Sequence, residues 1–420
     1  MDEDHAKPAD TDERRQVMTQ PRTALVIGGG IAGPVAAMAL QRAGIQATVY
    51  EAHPRGAEGI GIFLTLASNG IDALRTIDAD KRAVAAGFPT PGILLRSSTG
   101  KHLGTARTGL SLPDGITSHT MKRADLYQAI RDEATARGIV VKHGKRLVDA
   151  EPAGDGVRAV FEDGSDATGD VLIGADGVHS AVRRLIDPDA PAPTYVGLVN
   201  LGGYARGVHV DAEPGSYTLI FGKRAFFGYL LAPDGEVWWF ANVPRGDEPA
   251  RGEVEAITAQ AWQRRLAELY AEDSGPAVRL VQASEIASKA SSIHSIPHLP
   301  VWHRGRMVVI GDAAHAPTPT SGQGASLAAE DAVVLAKCLR DLPDAQQAFA
   351  RFEALRRPRV ERIIKVAARI NSNKTAGPVA RVVRDAVLPV ILRLTTNSKQ
   401  VNQQYRYHID WTTPTTSVTA

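Results

Sequence analysis

The stretch Thr23-Ala-Leu-Val-Ile-Gly-Gly-Gly-Ile-Ala-Gly33 decides the fold of this chain. Its apolar start predicts a short strand, and its glycines predict a turn that opens a helix from Ile31 to Ala43. A second apolar run, Ala47 to Tyr50, follows Gly44 and predicts another strand. A strand, a crossover helix and a second strand within about 30 residues form a β-α-β unit.

The glycines of this stretch have the pattern G-x-G-x-x-G. Gly28 permits a tight turn, Gly30 lets the backbone approach a pyrophosphate, and Gly33 lets helix and strand pack closely. The first helical residues, Ile31 and Ala32, lie where free N–H groups and the positive end of the helix dipole face the phosphates. The pattern and its context predict a dinucleotide site.

Glu51 ends the second predicted strand. A carboxylate at this place can accept hydrogen bonds from an adenosine ribose, and it repels a 2′-phosphate. The sequence contains one such fingerprint, whereas a flavoprotein with a dedicated nicotinamide domain has two. The chain therefore binds NAD here, or it binds FAD here and meets NAD(P)H transiently.

Two later segments each contain a predicted strand that is followed by a polar turn. One runs from Asp170 to Arg183 and contains the pair Asp176-Gly177, and the other runs from Met307 to His315 and delivers Asp312 to a strand end. After Asp312 come Pro319 and a glycine-rich segment that opens a helix, with Gly322, Gly324, Ala325 and Ser326. A helix N-terminus suits the negative charge that develops at the N1–C2=O edge of a reduced flavin.

With these three motifs in order, the sequence resembles the FAD-dependent aromatic hydroxylases. These are single-component flavin monooxygenases, typified by para-hydroxybenzoate hydroxylase and the tetracycline-inactivating enzymes. Arg123, in Arg-Ala-Asp-Leu, matches the family's R-x-D-L element, whose arginine reaches the phosphate side of FAD. The resemblance spans about residues 23–370, and it is weakest over 185–300, where these enzymes hold substrate. Ser326 stands where many members have asparagine.

The resemblance implies an oxidoreductase with tightly but non-covalently bound FAD, which NADPH or NADH reduces as a transient co-substrate. O₂ then forms a C4a-hydroperoxide that hydroxylates an aromatic or polyketide-like small molecule, a chemistry that belongs to the cofactor. Two alternatives are an FAD-dependent epoxidase or oxidase, and a flavin-holding protein that binds a small molecule without turnover. No metal is expected, since the 12 histidines show no ligand spacing.

The resemblance also implies roles for single residues. The residues expected to hold FAD are Gly28, Gly30, Ile31, Ala32, Gly33, Glu51, Arg123, Asp312, Gly322, Gly324, Ala325 and Ser326. Pro319, beside the flavin, and Asp176, which orders its turn and supports cofactor and reductant, are the expected catalytic positions. Arg224 matches a substrate-contacting arginine, and Phe226 and Trp239 belong to an aromatic cluster on adjacent predicted strands that could line a substrate pocket.

Composition excludes several other classes of protein. The chain has 420 residues, enough for two domains, and a net charge of +2 that gives no support for nucleic-acid binding. Its single cysteine, Cys338, excludes an internal disulfide and a thiol-pair reductase. No stretch is apolar enough for a membrane span, and the polar residues 1–22 predict a disordered leader rather than a secretion signal. We therefore expect a cytoplasmic monomer or homodimer.

The predicted fold class is α/β, with a Rossmann-like FAD-binding domain interleaved with a mainly antiparallel-sheet substrate domain. The FAD-binding domain is expected over residues 23–80, 111–185 and 301–372, and the substrate domain over 81–110 and 186–300. Strand-like runs joined by turns in the middle third, and a strand pattern returning at 307–312, indicate this interruption.

Residues 373–420 are expected to form a C-terminal bracing helix and tail. Apolar residues recur at helical spacing on one side, and charged residues occupy the other, with Pro389 expected to kink the helix. The apolar set is Val379, Val382, Val383, Ala386, Val387, Val390, Ile391 and Leu394, and the charged set is Arg381, Arg384, Asp385 and Arg393. Packing along both domains is the main expectation, and a membrane-surface or lid role is the alternative. Residues 351–420 carry 13 bases and 4 acids, a net charge of +9.

Overall fold

The structure is a computed structural model that describes residues 20–54, 61–287, 289–372, 374, 377–395 and 403–415. Most of the predicted leader, residues 1–19, lies outside the described residues. The described helices, in chain order, are α1 Ala32–Arg42, α2 Ser68–Thr76, α3 Asp80–Ala85, α4 Arg123–Ala136, α5 Ala181–Ile186, α6 Ala259–Tyr270, α7 Ala277–Gln282, α8 Gly324–Asp341, α9 Ala345–Ser372 and α10 Pro378–Thr395.

The described strands fall into four sheets. In chain order they are β1 Thr23–Ile27, β2 Gln46–Glu51, β3 Phe63–Leu66, β4 Phe88–Pro89, β5 Gly92–Ser97, β6 His102–Arg107, β7 His119–Lys122, β8 Val140–His143, β9 Leu147–Ala153, β10 Gly156–Phe161, β11 Asp166–Gly169, β12 Val171–Gly174, β13 Thr194–Ala205, β14 Tyr217–Phe221, β15 Phe226–Leu231, β16 Val237–Pro244, β17 Ser284–Ile286, β18 Ser291–Ser295, β19 His303–Arg304 and β20 Met307–Val309.

The first sheet is parallel except at one edge. Its order is β19-β20-β12-β1-β2-β8, and only the β19–β20 pair is antiparallel. Its central strands are buried, because α1 and α8 pack together beside it in one large hydrophobic core. Parallel sheets covered on both faces are typical of doubly wound nucleotide-binding folds. Since β1, β12 and β20 are neighbours, the three motifs that follow these strands meet at one sheet edge.

The second sheet has eight strands and is mainly antiparallel. Its order is β17-β13-β16-β15-β14-β5-β6, with β18 also paired to β13, and only β14–β5 is parallel. One face is covered by α6 and α7, and the other carries two smaller aromatic and aliphatic clusters. The α/β fold class is thus confirmed, with a mainly antiparallel sheet inserted between parts of a parallel one. The residue boundaries of the two domains stay a prediction.

Helix α10 forms over Pro378–Thr395, but its orientation is the reverse of the one expected. Its apolar residues are exposed, with Val379 79% and Leu394 77% exposed, whereas Arg384 is buried. Lys101 Nζ donates to the Asp385 carbonyl oxygen at 3.2 Å, and the Arg384 guanidinium lies 4.6 Å from the centre of the Phe221 ring. The side of the helix that carries Arg384 therefore contacts the second sheet, together with Leu388 and Leu392.

Candidate active site

The glycine turn after β1 is shaped by close backbone contacts. A Cβ added to Gly33 would lie 1.9 Å from the carbonyl oxygen of Gly28, and one added to Gly28, at φ +109°, would lie 2.3 Å from that of Ala175. A side chain at either position therefore clashes with backbone. Gly30 differs, because the nearest atom to its added Cβ is in Tyr127, 3.6 Å away. This space beside the backbone suits a bound pyrophosphate.

The carboxylate of Glu51 closes the same turn. Its Oε2 accepts a hydrogen bond from the Gly29 N–H at 2.7 Å, and its Oε1 accepts one from the His53 N–H at 2.7 Å. A carboxylate has about four acceptor positions, so two of them are available to ribose hydroxyls. The first helical residues, Ile31 and Ala32, stand at the start of α1 as predicted.

The motifs after β12 and β20 pack against this turn. The added Cβ of Gly28 would also lie 3.0 Å from the Cα of Asp176, and one added to Gly311 would lie 3.4 Å from the Cβ of Ala32. Arg183 links the two motifs, since its Nη1 donates to the Ala313 carbonyl at 3.0 Å. The structure therefore brings together three motifs that lie far apart in the sequence.

Asp176 caps helix α5. Its carboxylate accepts from Ser180 Oγ at 2.5 Å, from the Ala181 N–H at 2.7 Å and from the Val182 N–H at 3.2 Å. Burial raises the pKa of Asp176, and these donors act in the opposite direction. The side chain thus orders the turn. Its supporting role towards cofactor and reductant stays a prediction.

Arg123 and Asp312, both predicted to hold FAD, attract one another electrostatically. Burial acts to lower the pKa of Arg123, but Tyr127 and Asp312 raise it above the usual value. Burial also raises the pKa of Asp312, against the opposing charges of Arg123 and His315. Arg123 Nη2 donates to the Tyr127 hydroxyl at 3.2 Å, whereas the buried Nε of Arg123 has no partner among the described residues. A buried donor without a partner fits an anionic ligand such as an FAD phosphate.

The turn that carries Asp312 is fixed by a buried network from α8 and α9. Asp331 accepts from the Gly311 N–H at 2.9 Å and from Arg356 Nε at 2.7 Å, and its Oδ2 lies 2.5 Å from His315 Nε2. Burial raises the pKa of Asp331, but His315 and Arg356 outweigh it and lower the pKa to about 2. His315 thus positions the turn, and Asp331 and Arg356, which sequence reasoning did not single out, anchor it.

The glycine-rich segment ahead of α8 forms a helix N-terminus at the cleft. Pro319 opens a 3-10 turn, Gly322 adopts φ +58°, and α8 begins at Gly324. The backbone N–H groups of the first helical residues, including Ala325, lack partners within the helix and can face a flavin carbonyl. The Ser326 side chain is used elsewhere, because its Oγ accepts from the Ala67 N–H at 3.1 Å. Ser326 can therefore serve FAD only through its backbone.

The two predicted aromatic substrate residues lie on opposite faces of the second sheet. Phe226 pairs with Asn242 across β15 and β16, on the same face as Phe240. Trp239 alternates to the other face, where it is fully buried against α6 and α7 and stacks on Phe227 at 5.6 Å. The assignment of Trp239 to the substrate pocket is therefore corrected: Trp238 and Phe240 share the face of Phe226.

Arg224 lies apart from the other predicted substrate residues. It occupies the exposed turn between β14 and β15, with its Nη2 3.4 Å from a carboxylate oxygen of Glu272. The side chain points to a surface carboxylate because the hairpin turn projects from the sheet. The structure thus does not bring Arg224 to the aromatic face.

Lys374 places an amine beside the candidate site, and the sequence analysis did not predict this residue there. Its Nζ donates to Asn242 Oδ1 at 2.7 Å and to Thr320 Oγ1 at 2.8 Å, and lies 4.1 Å from the centre of the Phe226 ring. Burial lowers the pKa of Lys374 to about 7. Thr320 follows Pro319, so the amine joins the cofactor side of the site to the aromatic face of the sheet. The sequence held no signal for this contact, since Lys374 has no motif around it.

These residues define a class: a Rossmann-type flavoprotein whose cleft fits FAD. The fit rests on the open space at Gly30, the free acceptor positions of Glu51, the unpartnered donor of Arg123 and the helix N-terminus at Gly324. Among the described residues, no group of three or more His, Cys, Asp or Glu side chains could hold a metal. A family model described as "FAD binding domain" matches residues 22–367, and the chain belongs to that family.

Curated relatives agree with this assignment. The chain is 31% identical over 343 residues to the aurachin C monooxygenase/isomerase of Stigmatella aurantiaca, covering 80% of this chain and 85% of the relative. It is 31% identical over 350 residues to the FAD-dependent urate hydroxylase of Klebsiella pneumoniae, covering 81% and 87%. The predicted resemblance is confirmed, and the chain is an FAD-dependent monooxygenase.

A solved structure gives the same result at the level of the fold. Klebsiella pneumoniae HpxO, crystallised with FAD and uric acid, matches with a TM-score of 0.77 and 28% identity. The match covers 91% of this chain and 95% of that one. FAD is thus the cofactor of this chain.

Proposed function

We propose that this protein is an NAD(P)H-dependent monooxygenase that hydroxylates an aromatic or polyketide-like small molecule. Bound FAD would supply the redox chemistry: it would pass two electrons from NAD(P)H to O₂, so that one oxygen atom goes to the substrate and the other leaves as water. The protein holds FAD with the glycine turn, Glu51, Arg123, Asp312 and the start of α8. Pro319 lies on the side of this site nearest the second sheet.

The observation that carries the proposal is the position of Lys374. Its amine links Thr320, one residue after Pro319, to Asn242 on the sheet face that also presents Phe226. A substrate between flavin and sheet would therefore meet aromatic side chains and the Lys374 amine, which suits an electron-rich, acidic ring such as a phenol or enol. A pKa of about 7 lets Lys374 accept the phenolic proton near neutral pH.

Two relatives are named for small organic molecules, urate in one case and aurachin C in the other. We extend this to a fused or substituted ring that carries an acidic oxygen or nitrogen. We assign the apolar part of the pocket to Phe240 and Trp238, whose ring centres lie 6.0 and 5.5 Å from that of Phe63 on β3.

The experiment measures NADH and NADPH oxidation, O₂ uptake and product mass with uric acid, 4-hydroxybenzoate, tetracycline and a 4-quinolone as probes. A product heavier by one oxygen atom, which NMR places as a hydroxyl group on the ring, supports the proposal. Loss of two hydrogens from the probe identifies an oxidase, and an added oxygen across a double bond identifies an epoxidase. Binding without stimulated NAD(P)H oxidation identifies a protein that holds its ligand without turnover.

The role of Lys374 is tested in the same assay. Lys374→Met lowers turnover with a probe and flattens its rise with pH, whereas bound FAD is retained. Lys374→Arg keeps the charge but cannot accept a proton near neutral pH, so it restores probe binding without turnover. Unchanged turnover in both variants contradicts the role.

A further inference from the structure

The outward side of helix α10 is apolar, which is the opposite of an ordinary surface helix. Val382 is 71% exposed, Val383 56%, Val387 46% and Val390 56%. Eleven large hydrophobic side chains of the described residues are exposed, and nine of them lie between Val366 and Leu394. Apolar groups gathered in this way mark a surface that contacts something other than water. We call the exposed apolar residues of Val366–Leu394 the apolar face.

The orientation of α10 is fixed by contacts on its other side. Leu388 and Leu392 pack against a hydrophobic cluster of the second sheet that includes Leu95 and Phe221. Arg381 donates to the Lys223 carbonyl at the N-terminal end of the helix. Rotating α10 to bury the apolar face would break these contacts and expose the cluster. The apolar face is thus an outward surface of the folded chain.

Charge indicates what this surface contacts. Residues 365–395 contain six bases, of which Lys374 and Arg384 are buried and Arg381 is half-buried, and one acid, Asp385. Lys365 and Arg393 are exposed among the apolar residues. A second copy of the chain would bring the same positive charge against itself, which is repulsive. An anionic lipid surface offers apolar chains and opposite charge together.

The membrane would be contacted rather than crossed. No helix within the described parts of the chain is long and apolar enough to span a bilayer. We infer that the apolar face, formed by α10 and the end of α9, docks on the surface of an anionic phospholipid bilayer, with its valines at acyl-chain depth and the exposed Lys365 and Arg393 at the headgroups. This inference is independent of the proposed substrate.

Vesicle sedimentation tests the inference with the full, FAD-loaded chain. We expect binding to vesicles of equal parts phosphatidylcholine and phosphatidylglycerol, weaker binding to phosphatidylcholine alone, and release at high salt. Val383→Asp and Val390→Asp each weaken binding at least about tenfold, the fold-change expected for losing one buried valine side chain. Val140→Asp and Val148→Asp are matched controls, since both valines are 52% exposed elsewhere. The controls keep wild-type binding.

Retained FAD absorbance and melting temperature show that each variant is folded. Equal binding to both kinds of vesicle overturns the anionic surface as the partner. No binding to either kind overturns the inference altogether. Light scattering completes the test: a dimer that Val383→Asp dissociates assigns the apolar face to a second copy instead.

Discussion

The Nζ of Lys374 lies 2.7 Å from Oδ1 of Asn242, which joins a residue after the long helix α9 to the centre of the second sheet. Lys374 lies beyond residue 367, where the family match ends. A buried amine is costly unless its donors are paired, so the two acceptors, Asn242 and Thr320, are needed to hold it. The segment after the family domain thus contributes to the site.

Lys374 makes the stability of the protein depend on pH. Burial lowers its pKa from 10.5 to about 7, so between these values the unfolded chain binds more protons than the folded one. Stability therefore rises with pH across this interval, by up to about 1.4 kcal/mol per pH unit from this residue. Lys374→Met removes that rise and stabilises the protein most at or below about pH 7. Denaturant unfolding across the interval measures it, and equal slopes in both proteins would refute it.

Substitutions at two glycines of the first turn are expected to affect folding and cofactor binding differently. Gly33→Ala places a Cβ 1.9 Å from the Gly28 carbonyl oxygen, so the protein loses stability and FAD together. Gly30→Ala meets no protein atom closer than 3.6 Å, so it folds but binds FAD weakly. Gly246→Ala, with nothing within 4 Å, is the control. The flavin-to-protein absorbance ratio and the melting temperature report the two effects, and full FAD occupancy in Gly30→Ala contradicts the assignment.

Asp331 is predicted to stabilise the turn of Asp312. Asp331→Asn leaves the fully buried Arg356 with one carboxylate partner, Glu330, and weakens the contact with His315. We expect a loss of ~3–5 kcal/mol, the usual cost of breaking a buried ion pair. Asp132→Asn, on the exposed side of α4, is the matched control. Chemical unfolding of FAD-free protein measures the loss, and a change equal to that of the control would rule out the network.

Substitutions at two neighbouring residues of strand β16 test the different roles of its two faces. Trp239→Ala removes a fully buried ring from the core under α6 and α7, so we expect a loss of ~3–5 kcal/mol. Phe240→Ala lies on the half-buried aromatic face, so we expect a smaller loss of stability and a higher KM for the substrate. Denaturant unfolding measures the loss of stability, and probe-stimulated NAD(P)H oxidation measures the KM. A KM effect confined to Trp239→Ala would reverse the assignment of faces.

Much of the fold was predictable where the chemistry is local. The helix predicted from Ile31 to Ala43 contains α1, and the strand predicted from Ala47 to Tyr50 lies within β2. The longest strand, β13, was not singled out, since Gly197, Gly202 and Gly203 interrupt its pattern. Those glycines are needed by packing across strands: a Cβ at Gly202 would lie 2.3 Å from the Trp239 carbonyl oxygen.

The sequence by itself determined the cofactor half of the protein. Gly33 and Glu51 contact the backbone of Gly28 and Gly29 within one β-α-β unit, so their spacing carries the geometry. Tertiary structure alone decided the substrate half, because a strand with apolar residues on both faces does not reveal which face covers the cleft. It also decided the orientation of α10 and the position of Lys374. Those depend on long-range partners, Phe221 and Asn242, that no local pattern specifies.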